Sequence, residues 1–197
     1  MSRRNWLFAS SLALALAAGQ VTAALCVWRQ PDSDIAGIFG SGGSYKTVFV
    51  DISEAQRARI EKRLGFALDP DETQFKFFPV YRKAKQVGTV MTHAGKGQFG
   101  AIEIVVAVVR TDSGTAVREV RIQRDREKAK AALRGKAFLG QFKGMRASDE
   151  FLVTNDGQGL KPAAPGAEKA SQSVARAVMK LLVVHDELGI AQSQAEK

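Results

Sequence analysis

The amino-acid sequence predicts an α+β domain in which a twisted antiparallel sheet is packed by helices. Three observations carry that expectation. From Gln74 to Gln123 the chain runs through strand-like segments joined by short turns, without the alternating strand–helix units that build a parallel sheet. Amphipathic helical patterns stand on either side, at 53–64 and at 166–187. The composition, 45% hydrophobic and 25% charged over 197 residues, is that of a single globular core.

The chain opens on two cations, Arg3 and Arg4, followed by an uncharged run from Trp6 to Ala18 and a small-residue exit through Val21-Thr22-Ala23. That is the pattern of an export signal, so residues 1–23 are expected to be a signal peptide cleaved after Ala23. Because Trp6 to Trp28 carries no charge, the same segment also suits an N-terminal membrane anchor. Ser2-Arg3-Arg4-Asn5-Trp6-Leu7 further resembles a twin-arginine signal. The formal charge is +9, and losing Arg3 and Arg4 leaves 27 basic residues against 20 acidic ones, or +7. In an envelope compartment that excess suits anionic lipid headgroups, acidic redox partners or a phosphorylated cofactor, and leaves no role for nucleic acid. Cys26 is the sole cysteine, which excludes an internal disulfide, an iron–sulfur cluster and a CxxCH haem attachment. Leu25 before it is a poor fit to a lipoprotein signal.

Residues 24–47 read as a linker, with Gly37-Ile-Phe-Gly-Ser-Gly-Gly-Ser-Tyr45 as a flexible or edge segment that lacks the lysine of a phosphate-binding loop. The domain proper is expected at 48–188, with 189–197 as a tail. Ser53 and Gln56 form a capping box for the first helix, Ile60 and Leu64 its apolar stripe, and Gly65 its stop. Gln74 to Tyr81 contains Pro79, which points to an edge strand. Gln86 to Met91 pairs back through Lys83–Lys85, Phe99 to Val109 is the apolar central strand, and Asp112-Ser-Gly-Thr turns the chain into Val117 to Gln123. Short helical turns follow over 124–134 and 136–144, then a brief strand at Phe151–Thr154. In the last helix Val174, Ala177, Val178, Leu181 and Leu182 face the core, while Arg176 and Lys180 face water.

Hydrolytic and metal chemistry finds little support, since His93 and His185 are the only histidines and neither has ligand spacing. His185, near a helix end, suits a surface role. His93 is expected in a loop leading to the central strand, placed either to touch a ligand or as an ordinary loop histidine. In Gly95-Lys-Gly-Gln-Phe-Gly-Ala-Ile-Glu103, the glycines at 95, 97 and 100 permit close backbone approach and Phe99 offers a flat face, so a planar ring could be held there as readily as a plain hairpin loop formed. The start of the last helix, Gly166 to Ser171, presents free amides beside Lys169, Ser171 and Ser173, a site for phosphate or carboxylate or simply a hydrated helix start.

In order and spacing, residues 86–188 resemble the extracytoplasmic FMN-binding domain family, which includes flavin subunits of the sodium-pumping NADH:quinone reductase and related electron-transport complexes. The matching features are Gly97-Gln-Phe-Gly-Ala-Ile, the Asp112-Ser-Gly turn, Val117 to Ile122, Arg126-Glu127, Phe138-Leu-Gly-Gln-Phe-Lys-Gly144 and a Gly166-Ala167 turn opening the last helix. The resemblance implies an FMN-binding-domain-like fold with the isoalloxazine ring near Gly97, Phe99, Gly100, Phe138 and Phe142, and the phosphate near Gly166, Ala167, Lys169 and Ser171. It also implies periplasmic or membrane redox partners. One position departs from the family: where its Ser-Gly-Ala-Thr motif carries FMN on the threonine, this chain reads Pro165-Gly-Ala-Glu168. A glutamate cannot form that phosphoester, so any flavin is expected to be non-covalent, the alternative being a flavin-free descendant that serves as a binding or assembly module.

Overall fold

In the computed structural model, which describes residues 30–190, two long antiparallel hairpins form the middle of the molecule. The first joins β3 (Gln74–Arg82) to β4 (Lys85–Lys96), turning at Lys83 with a positive φ of 54°. The second joins β5 (Ala101–Thr111) to β6 (Gly114–Arg124). β4 and β5 pair along eight positions from Thr89↔Val108 to Lys96↔Ala101, which makes one continuous sheet. The sequence places β5 at the centre, and so it is: Ile102 to Val108 are all buried. Glu103 is the only charge in that stretch, and Arg124 Nε lies 3.2 Å from it across the ladder.

The outer side of β3 is covered in two pieces, β1 (Ser44–Tyr45) and β2 (Val48–Asp51). β3 is therefore interior, which corrects the edge position expected from Pro79. The proline, lacking an N–H, stands opposite the break at Lys46–Thr47 between the two short strands, where its carbonyl accepts the Lys46 amide at 3.2 Å.

One face of the sheet carries the main core. α2 (Glu54–Leu64) starts on the expected capping box, Ser53 Oγ accepting from Gln56 and Gln56 accepting from the Ser53 amide, and stops at Gly65 in the left-handed region with φ 73°. It lies alongside α5 (Glu168–Leu188), which crosses β4, β5 and β6. The stretch between β6 and α5 contributes two single turns, α3 (Lys130–Leu133) and α4 (Lys136–Leu139), a 3-10 turn at 140–142, and an isolated bridge from Val153 to Leu160 in place of the expected strand. Its Leu133, Phe138, Phe142 and Phe151 join the core that α5 and the sheet share.

The opposite face is covered by α1 (Asp32–Phe39), whose Ile35, Ile38 and Phe39 pack on Phe78, Val80, Val90, Val105 and Ala107. Residues 32–39 are thus a packed helix and not part of a linker. The reason lies in β5, which is apolar on both faces, so a second cover is required once the sheet forms. Gln123 Nε2 donates to Asp34 at 2.7 Å and an Arg118 guanidinium N–H donates to the Ile38 carbonyl at 3.1 Å, which fixes the cover in place. No helix among the described residues is long and apolar enough to cross a membrane. The expected signal or anchor at 1–23, and residues 191–197 of the tail, lie outside the described residues.

Candidate functional site

α5 begins at Glu168 after Gly166, whose φ of 79° suits glycine and whose missing Cβ would meet nothing within 4 Å. Facing this turn is the hairpin of residues 97–100 between β4 and β5. Glu127 holds that hairpin from behind: its carboxylate, 4% exposed, accepts the Gln98 amide at 2.7 Å and the Phe99 amide at 3.0 Å. Gly97 is required because a Cβ there would collide with the same carboxylate. Its glycine therefore serves an internal contact and not ligand approach. Asp125 supports Glu127 by accepting its amide at 3.0 Å and is itself paired with Arg134 at 2.7 Å.

Between the hairpin and the turn lies a cleft of about 420 Å³ lined by Gln98, Phe99, Glu127, Lys128, Pro165, Gly166 and Ala167 among others. Phe99 stands in it 41% exposed, with the Lys128 ammonium 5.0 Å from its ring centroid. So the structure brings Phe99, Gly166 and Ala167 to one cleft, with Gly97 and Gly100 shaping the hairpin that presents the ring. Gly100, at φ 143°, packs against the Arg126 side chain.

Four predicted residues, Phe138, Phe142, Ser171 and Lys169, are placed elsewhere. Phe138 and Phe142 are 2% and 0% exposed, in an edge-to-face pair 5.5 Å apart, and cannot line a ligand cleft. Ser171 is fully buried, with its Oγ accepting the Ala163 amide at 3.0 Å, so it fastens the loop before α5. The family-like phenylalanine segment is apolar because it is core, which short motif matching does not distinguish from a ring-binding wall.

Glu168 turns back on its own helix start. Its Oε1 accepts the Gly166 amide at 3.1 Å, and hydrogen bonds from its own amide and that of Gly166 hold the carboxyl below the usual carboxylate range. An acid in the first turn is favoured by the helix dipole. The free amides expected here are thus partly taken by a side chain of the chain itself.

Lys169 points to the other flank of α5, into a groove of about 450 Å³ that also meets Lys96, Ser173, Arg176, Lys180 and His93. Ser173 Oγ donates to the Lys96 carbonyl at 2.7 Å, tying α5 to the end of β4. At the groove floor Lys180, only 7% exposed, binds both carboxylate oxygens of Glu72 at 2.8 Å, which corrects the water-facing position expected for it. His93 belongs to β4, not to a loop, and its Nδ1 is 3.8 Å from Glu72. Burial, reinforced by Lys180, pushes its pKa down to about 4 against the opposing pull of Glu72 and Asp69.

The fold has a solved counterpart. Among solved structures the chain is similar to NqrC of Shewanella oneidensis, with a TM-score of 0.50 and 17% identity over 80% of this chain and 88% of that one. The fold is NqrC-like. At that identity the likeness concerns the fold, a mixed helix and antiparallel-sheet architecture. No family model and no curated protein matches the sequence. Glu127 is the contributor that sequence reasoning passed over as a site residue; an acid just beyond the end of β6, two residues after Asp125, was its signal.

Proposed function

We propose that the domain holds FMN non-covalently in the cleft between the 97–100 hairpin and the start of α5, and transfers electrons within an envelope redox system. The observation that carries this reading is the convergence of Phe99 with Gly166 and Ala167 on one cleft. The resemblance of residues 86–188 to extracytoplasmic FMN-binding domains and the NqrC-like fold both support it. The residues present suit the ring end of such a ligand: Phe99 offers an exposed aromatic face and Gly166 leaves the opposite wall open. At the phosphate end, Glu168 would have to swing off the Gly166 amide, leaving Lys128 as the cation in the cleft lining. FMN when bound supplies the redox chemistry, and the chain supplies orientation and surroundings. Export through the 1–23 segment, as a cleaved signal or as an inner-membrane anchor, would bring the domain to membrane or periplasmic redox partners, with its basic surface near anionic lipid.

The Glu168–Gly166 hydrogen bond favours a second reading, a flavin-free descendant acting as a binding or assembly module. The visible absorption spectrum of the purified exported protein separates the two. Yellow protein that releases FMN on denaturation, or apoprotein that takes up added FMN, supports the first; colourless protein that ignores FMN overturns it.

A further inference from the structure

At the end of the sheet opposite the 97–100 hairpin the two long hairpins part. β4 pairs with β5 only from Thr89↔Val108 onward; before that point, Lys85 to Gly88 pair with β3 alone, while Val109 to Thr111 pair with β6 alone. Gly88 stands at the crotch of this fork, where a Cβ would meet the Phe39 ring and the Val108 carbonyl at 2.6 Å. The opening leads to a hollow of about 500 Å³, continued by a second of about 680 Å³, and Arg110, Thr115 and His185 line both.

These three residues converge by register. Val106 and Val108 belong to the core under α5, so two residues further along β5 Arg110 projects to the same face. Thr115 lies directly across the ladder from it. His185 comes up from α5, 3% exposed, and neither ring nitrogen has a hydrogen-bond partner among the described residues. A buried imidazole left without partners is costly, and it carries both a donor and an acceptor. Phe77 is its aromatic neighbour, 6.2 Å away edge-on, and cannot satisfy either nitrogen.

Charge at the fork is uneven. Arg63 is committed to Asp186 at 3.2 Å and to Glu187 at 3.6 Å. Arg110 and Arg146 form no ion pair among the described residues, and Lys85 stands at the rim, against Asp112 as the one remaining carboxylate in the lining. Two exposed guanidinium groups without ion pairs, lining the same hollow as this imidazole, match a planar or tetrahedral oxyanion, which accepts forked hydrogen bonds from arginine.

We propose that the fork binds a small oxyanion, a phosphate or carboxylate group, held by Arg110 and Arg146 and touching His185 at its floor. The site is separate from the cleft at Phe99, at the other end of the sheet, and does not depend on flavin. Since the chain has two histidines, their ring resonances report on the two ends of the molecule independently. The test is an NMR titration of the intact chain with inorganic phosphate and, separately, with succinate, each at constant ionic strength against sodium chloride. Saturable shifts of the His185 ring are expected with at least one anion while His93 stays still, and the response assigns the preferred group. Arg110→Ala and Arg146→Ala should each weaken that binding by about tenfold. Shifts no larger than chloride produces, or binding unchanged in Arg110→Ala, would overturn the proposal.

Discussion

The two ends of α5 differ in almost every respect that matters for function. Its start is open: Gly166 and Lys169 are exposed, and the one acid present, Glu168, bonds to backbone. Its second half is enclosed, with every residue from Lys180 to His185 buried, including one cation and one imidazole. A helix buried on one stripe shows a 3.6-residue pattern; a helix enclosed all round is forced to bury whatever its sequence holds. The open end is where a ligand can be exchanged at little cost to stability, and the closed end is where each polar side chain bears directly on stability, Lys180 through Glu72 and His185 through its burial.

Substitutions at the closed end should therefore be the more damaging. Lys180→Met strands the Glu72 carboxylate beside His93, and a loss of about 4 kcal/mol in urea denaturation is expected. Adding Glu72→Gln should recover most of it; a Lys180→Met protein as stable as the parent would show that the pair is not needed to neutralise a buried charge.

Acid comes next. Burial pushes the pKa of His185 from 6.5 down to about 4, with Asp186 opposing. The unfolded chain takes up a proton near pH 6.5 and the folded chain does not, so stability from the neutral imidazole is intact above that pH and is lost as pH falls toward 4. A decline on the order of 3 kcal/mol across that window is expected, and His185→Leu should flatten the curve measured by thermal melts. His93, shifted the same way, adds to the slope and should remain in that variant.

The open end should respond least. Glu168→Ala is expected to leave the denaturation midpoint within experimental error while tightening FMN binding by about fivefold, through removal of a like charge from the phosphate end. Equal FMN affinity in both proteins, measured by quenching of flavin fluorescence, would mean that the carboxylate does not compete for the Gly166 amide.

Sequence reasoning reached what local pattern encodes. The capping box at Ser53, the antiparallel run of strands from Gln74 to Gln123, the turn at Asp112 and the start of α5 near Gly166 all rest on short-range rules, and the structure has them, although the strand expected at 86–91 runs on to Lys96 through His93. What it missed depends on contacts far along the chain. Phe138 and Phe142 look alike as ring binders or as core, and only the third dimension places them in the main core. Lys180 lies on the helix face the apolar stripe leaves to solvent, yet Glu72, 108 residues away, draws it inward. The α1 cover could have been suspected from Pro31 with Asp32 and Asp34 in a first turn, but its short apolar set, Ile35, Ile38 and Phe39, acquires meaning only once the second face of β5 is known to be bare.

The break opposite Pro79 has a consequence for how the protein behaves among its own copies. One margin of the sheet is cut into runs of two and four residues, with Phe49 exposed there beneath the Lys76 ammonium, 5.5 Å from its ring. The other margin, β6, is clasped midway by the 144–145 turn, where Val117 exchanges hydrogen bonds with Met145 and Gly144 at 2.8 Å. Neither border offers a long unbroken row of backbone groups on which another chain could template itself, so the sheet is self-limiting and resists the edge-to-edge stacking that seeds fibres.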